Sequence, residues 1–162
     1  MEKYYSLSRE EEPFLNFDAL MKNQGNFERA EVSTDDDFVI IHTAAVAGRP
    51  KGALLSHGNV LCADMHFDYF FNLSPQDTHL NILPLFHVGG LFMATSAFHA
   101  GALNITMNKF DVAKAVELID EKKVSFMMEF APILSSLLEQ HEKTGKDIRS
   151  LRAVSGLEVR RL

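Results

Sequence analysis

Two short stretches hold the side chains that could do chemistry. The first, TAAVAGRPKG from Thr43 to Gly52, combines a hydroxyl at Thr43, Gly48, a rigid Pro50, a cation at Lys51 and a second glycine at Gly52. By composition it is a turn, with Gly48 for conformational freedom and Pro50 for stiffness. Backbone N–H groups beside a lysine, on a loop leaving the end of a buried strand, also suit a polyphosphate. The second stretch, LPLFHVGGL from Leu83 to Leu91, sets His87 between Phe86 and Val88, with Gly89 and Gly90 next. His87 reads either as the cap of a following helix or as a group that meets a ligand. Glycines let a helix start approach a substrate closely, and Phe86 offers an apolar wall.

Other reactive residue types read as structure. His57, His66, His87, His99 and His141 form no i, i+4 pair with an acidic partner, so no metal site is expected. Cys62 lies mid-helix among apolar neighbours and is expected to be packed and inert. The cluster Phe67, Tyr69, Phe70 and Phe71 is expected in the core. Ser155 lacks the GxSxG elbow of a serine hydrolase.

The elements that must position these residues alternate along the chain. After FDALM (17–21), a candidate short helix, and the acidic turn Asp35–Asp37, the run Phe38–Ile41 predicts a strand buried on both faces. A second strand is expected at 52–55, with Ser56 capping a helix over 57–71. That helix is expected to pack Val60, Leu61, Met65, Tyr69 and Phe70, with Asp64 and Asp68 on another face. Strands at 79–83, 103–107 and 124–128 then alternate with helices at 89–100, from Asp111, and from Pro132. The helix at Asp111 would bury Val112, Ala115, Val116 and Ile119, and the last one Ile133, Leu134, Leu137 and Leu138. A strand at 152–154 closes the series, after an exposed turn at Lys143–Asp147. The expectation is an α/β fold with a mainly parallel sheet and helices on both faces.

With 162 residues and 46% hydrophobic content the chain suits one globular domain. A net charge of -6 excludes nucleic acid as the main partner, and no run is apolar enough for a membrane span. The first residues have neither a basic end nor an apolar run, and one cysteine asks for no oxidising compartment, so the cytoplasm is the expected location.

The loop, in its setting, resembles the signature of the adenylate-forming acyl-CoA synthetases: an aromatic residue, then TSGTTGxPKG, an apolar strand, and a helix opening near a His and an Asn. Here the series is His42, TAAVAGRPKG, ALLS, His57, Gly58 and Asn59, with DDDFVII leading in. LPLFHVGGL resembles the family's PLFHxxG segment, and LRAVSG (Leu151–Gly156) the start of its adenine-pocket strand. The resemblance implies part of the N-terminal domain of an AMP-forming acid–CoA ligase, which activates a carboxylate, expected here to be a fatty acid, as its acyl-adenylate and transfers it to CoA, using ATP, Mg²⁺ and CoA. It implies phosphate binding by Thr43, Gly48, Lys51 and Gly52, an adenine side at Ser155 and Gly156, a catalytic His87, and an acyl pocket at Phe86, Gly89 and Gly90. It divides the chain into a lead-in segment, 1–37, and a partial AMP-binding domain, 38–162, the family's C-terminal domain being absent. Such a piece alone is expected to be inactive and prone to self-association.

The loop also departs from that signature. Ala44, Ala45, Val46 and Ala47 stand where the family has Ser, Gly, Thr and Thr. Each hydroxyl bonded to a charged oxygen contributes roughly 1.5–3 kcal/mol, so their loss weakens phosphate binding unless backbone N–H groups compensate. Alanine at position 45 would also cost about 1–2 kcal/mol if that residue had to be left-handed. Two expectations follow: a ligase with a degenerate loop, or a binding relic of the fold without turnover.

Overall fold

The computed structural model describes residues 5–6, 15–22, 24–26, 28–45, 48–130 and 132–157. The chain forms two compact units, Met1–Val32 and Ser33–Leu162. The first pairs β1 (Tyr5–Ser6) in parallel with β2 (Leu15–Asn16) and holds the short helix α1 (Asp18–Met21).

In the second unit, β3 (Asp37–His42) and β4 (Gly52–Ser56) form an antiparallel hairpin. Helix α2 (His57–Phe71) follows, then β5 (Thr78–Asn81), α3 (Val88–His99), β6 (Leu103–Thr106) and α4 (Val112–Lys122). The series closes with β7 (Phe126–Phe130), α5 (Ile133–Thr144) and β8 (Ala153–Leu157). Strands β5 to β8 make one all-parallel sheet in the order β6-β5-β7-β8.

Alternation along the strands supplies two cores. Leu80 and Met127 face α4 and α5, packing on Ala115, Val116, Ile119, Val124 and Leu137. Phe126 faces the other way, against Met93 and Ala97 of α3 and the half-buried Phe67 and Phe71 of α2. Helices therefore cover both faces, as the alternating pattern predicts.

Local signals hold at the helix starts. Ser56 accepts from the Asn59 N–H while the Asn59 side chain accepts from the Ser56 N–H, a closed capping box. Asp111 caps α4 through the Lys114 N–H at 2.8 Å.

Other expectations are corrected. Strand β3 is not buried on both faces: Phe38 is exposed and Ile40 is 56% exposed, while Val39 and Ile41 are half-buried. Among the described residues its one strand partner is β4, so the phosphate-type loop joins two antiparallel strands instead of leaving a buried parallel one. Strand β7 runs from 126 to 130, two residues later than expected, because Lys123 ends α4 left-handed and Val124 and Ser125 are spent on the connection.

The inward face of α2 is also different. Its stripe is Val60, Asp64, Phe67 and Phe71, whereas Leu61, Met65, Phe70 and the 92% exposed Tyr69 point outward. Asp64, only 3% exposed, can face inward because two hydroxyls of α3 meet it: Thr95 Oγ1 at 2.7 Å and Ser96 Oγ at 3.1 Å. One turn on, Asp68 accepts from His99. Cys62 is exposed, not packed, and Leu138 lies outside the core face of α5. Among the described residues no helix is long and apolar enough to cross a membrane.

Candidate functional site

The carboxyl end of the parallel sheet gathers most of the residues singled out by sequence. In open α/β sheets this is the end where ligands bind. Strand β5 ends at Asn81, and the chain turns through Leu83 and Pro84 to His87, the N-cap of α3. His87 Nδ1 accepts from the Gly89 N–H at 3.1 Å, so the capping role read from sequence is present. With Nδ1 accepting, the neutral ring carries its proton on Nε2, which becomes the donor. The ring is exposed and lies edge-on to Phe130 of β7, with centroids 6.2 Å apart.

Both glycines after His87 are in close contact. A Cβ on Gly90 would lie 2.3 Å from the Pro84 carbonyl oxygen. One on Gly89 would meet Leu83 and the Met128 sulfur at 3.3 Å. Phe86 is 81% exposed, so it offers a bare apolar face beside the helix start.

Ser155 and Gly156 sit on β8, paired with Met128 and Glu129. The side chain of Glu129, 1% exposed, occupies the space a side chain at Gly156 would need: a Cβ there would stand 2.3 Å from Oε1. Thus His87, Gly89, Ser155 and Gly156 all border the last residues of β7. Sequence reading missed Met128, Glu129 and Phe130, and the only signal available was their place at the end of an alternating strand.

The loop Thr43–Gly52 is built differently. Its neck is closed by Thr43 N–H to the Lys51 carbonyl at 2.9 Å and by Lys51 N–H to Thr43 Oγ1 at 3.1 Å. The Thr43 hydroxyl therefore accepts from the loop itself and keeps its own hydrogen to donate. Gly48 has φ +112°, a conformation that favours glycine, and its surroundings are open. Gly52 is required sterically, since a Cβ would meet Ile40 at 2.8 Å. Ala45 is not left-handed, so the backbone penalty expected for it does not arise. Val46 and Ala47 lie outside the described residues. Lys51 is exposed, and the described hydrogen bonds of the loop stay within the hairpin.

Among the described residues no group of three or more His, Cys, Asp or Glu side chains converges to hold a cation.

The opposite, amino end of the sheet carries a dense polar cluster. Asp77 accepts from Ser74, from Ser125 Oγ at 2.6 Å, and from Arg152 Nε and Nη2 at 2.9 and 2.8 Å. Burial alone would raise its pKa, but hydrogen bonds from Arg152, Ser125 and Ser74 outweigh that and lower it to about 2. His79, stacked on Phe126, is lowered to about 4 by burial against the opposing bond to Asn104.

Comparison with known proteins bears on both loop and sheet. The family described as AMP-binding enzyme matches residues 3–159. The indoleacetate–CoA ligase of Aromatoleum aromaticum is 29% identical over 145 residues, covering 88% of this chain and 28% of that protein. A proposed long-chain-fatty-acid CoA ligase from Rhodopseudomonas palustris superposes with a TM-score of 0.85 at 40% identity, over 98% of this chain and 39% of that one. The o-succinylbenzoate CoA synthetase of Bacillus subtilis, in complex with ATP and magnesium, superposes with a TM-score of 0.77 at 25% identity. That match covers 88% of this chain and 30% of the synthetase.

Proposed function

Because this chain belongs to the AMP-binding enzyme family, we propose that it is the nucleotide- and acyl-binding part of an ATP-dependent carboxylate–CoA ligase. In that reaction a carboxylate oxygen attacks the α-phosphorus of ATP and pyrophosphate leaves, giving an acyl-adenylate. The thiol of CoA then attacks the acyl carbon and AMP leaves. The observation that carries the reading is the convergence of His87, Gly89, Ser155 and Gly156 on one end of the sheet.

Each residue has a role in that scheme. Thr43 donates its hydroxyl hydrogen and Lys51 its charge to the departing phosphates, on a loop whose neck is already closed. Gly48 and Gly52 let the backbone hold that path. His87 presents Nε2–H to the carboxylate and Phe86 walls the acyl side, while Gly89 and Gly90 let the helix start pack closely on Leu83, Pro84 and Met128 and so hold His87 at the acyl side. Ser155 and Gly156 flank the adenine. ATP brings magnesium with it, and CoA completes the set of small-molecule partners. A fatty acid is the substrate we favour, on the bare apolar face of Phe86 and the likeness to the Rhodopseudomonas protein. The cytoplasm is the location that the single cysteine favours.

Calorimetric titration of the full-length protein with ATP·Mg²⁺ tests the loop. Binding in the millimolar range or tighter is expected, and no heat at millimolar nucleotide overturns the ligase reading. His87→Ala is expected to lower carboxylate-dependent pyrophosphate release by about 10²-fold or more, the scale typical of general acid–base groups. An unchanged rate removes His87 from the chemistry.

A second reading, a relic that binds without turnover, is favoured by one observation: Ala44, Val46 and Ala47, which stand where the family has hydroxyls, offer no side-chain donor. Restoring the hydroxyls with Ala44→Ser, Val46→Thr and Ala47→Thr separates the two. A relic would gain nucleotide affinity with no pyrophosphate release in either form.

A further inference from the structure

We propose that Asn81 is a positioning residue for His87, closing the loop that carries it; the proposal rests on the role read for His87 above. Asn81 is the last residue of β5 and is 4% exposed. Its backbone is fixed in the sheet, with its carbonyl accepting from the Met107 N–H at 3.2 Å. Its carboxamide works across the loop with both ends. Oδ1 accepts from the Leu83 N–H at 3.2 Å, and Nδ2 donates to the Gly90 carbonyl at 3.1 Å.

Leu83 and Gly90 bracket the segment that carries Phe86 and His87. Sterics show the same closure: a Cβ on Gly90 would lie 2.7 Å from the Leu83 carbonyl oxygen as well as against Pro84. Within the closed loop, the His87 N–H donates to the Pro84 carbonyl at 3.1 Å, and the His87 ring receives the Gly89 N–H. The direction of the imidazole therefore depends on the separation of the loop's two ends. One buried side chain spans that separation. Asparagine suits the place because one end must accept and the other must donate. Aspartate has the same shape but would turn an oxygen toward the Gly90 carbonyl.

The test uses the full-length protein with Asn81→Ala, Asn81→Asp, His87→Ala and the double variant Asn81→Ala/His87→Ala. Carboxylate-dependent pyrophosphate release is measured per folded molecule, and amide hydrogen exchange is followed at Leu83 and Gly89. Asn81→Ala is expected to lower kcat/KM for the carboxylate by about tenfold or more, as a small misplacement of a reacting group does, and Asn81→Asp at least as much. In the His87→Ala background the same change is expected to add nothing, since Asn81 acts through His87. The Leu83 and Gly89 amides are expected to exchange about tenfold faster, with β7 amides unmoved.

Equal losses in both backgrounds, or Gly89 protection unchanged in both Asn81 variants, overturns the proposal. If Asn81→Ala does not fold, Asn81→Asp carries the comparison in both backgrounds. If His87→Ala alone leaves pyrophosphate release unchanged, the role read for His87 is overturned. The exchange rates then still decide whether Asn81 holds the loop.

Discussion

At the amino end of the parallel sheet the polar side chains are saturated with one another, whereas at the carboxyl end they are turned toward open surface or packed against glycines. Asp77 takes hydrogen bonds from Ser74, Ser125 and Arg152, and Arg152 goes on to the carbonyls of Phe71 and Asn72. That cluster ties the end of α2 to β5, β7 and β8. At the carboxyl end His87 and Phe86 are exposed, and Gly90 and Gly156 leave room for neighbouring atoms. One end fastens the sheet and the other carries the site proposed above. The difference lets substitutions at the two ends be told apart by what they change.

The largest expected effect is at the fastening end. Asp77→Ala removes a buried acceptor and leaves the Arg152 guanidinium and the Ser125 hydroxyl without it, at a cost of about 3 kcal/mol in urea denaturation. An effect under about 0.5 kcal/mol would break the contrast between the two ends.

Acid gives a milder version of the same test. Asp77 is lowered in the folded state, so its contribution is complete above the ordinary carboxyl value of 3.8 and is lost as pH falls toward about 2. The shift corresponds to about 2 kcal/mol. His79 is also lowered, so its part is full above 6.5 and drains away as pH falls toward about 4. Stability is therefore expected to decline in two stages below pH 6.5. His79→Phe is expected to flatten the upper stage, and unfolding curves at stepped pH check it.

Gly156→Ala belongs to the end where the site is proposed. It must displace the Glu129 carboxyl, at a cost of roughly 1–2 kcal/mol, and is expected to weaken nucleotide binding out of proportion to that loss. Calorimetry beside urea denaturation separates the two quantities. Smallest of all, Ile40→Thr on the hairpin is expected to move global stability by less than about 0.5 kcal/mol, because that side chain is mostly exposed. A larger loss in the same denaturation assay would show that the hairpin shares in the core.

Signals confined to a few neighbouring residues were legible in the sequence. The caps at Ser56 and Asp111, the span of α2 and the strand–helix alternation all depend on atoms within one turn of each other, and the structure has them. The loop motif and the PLFH segment were equally plain, because order and residue type carry them. The face of α2 was not legible: Leu61, Met65, Tyr69 and Phe70 looked like its core, and Asp64 like its wet side. Asp64 faces inward because Thr95 and Ser96 meet it from α3, and nothing near position 64 announces those partners. Strand β3 was misread for a related reason. An unbroken apolar run does not say whether a second layer covers its outer face.

By itself, then, the sequence determined the local elements, the family and which residue types are available for chemistry, since backbone propensity and motif order are encoded over short spans. Tertiary structure decided which of those residues meet. It set Glu129 over Gly156, Asn81 across the ends of the His87 loop, and Arg152 on Asp77 from 75 positions away. Burial is affordable for such groups only when their partners arrive, and partners distant in sequence arrive only through the fold.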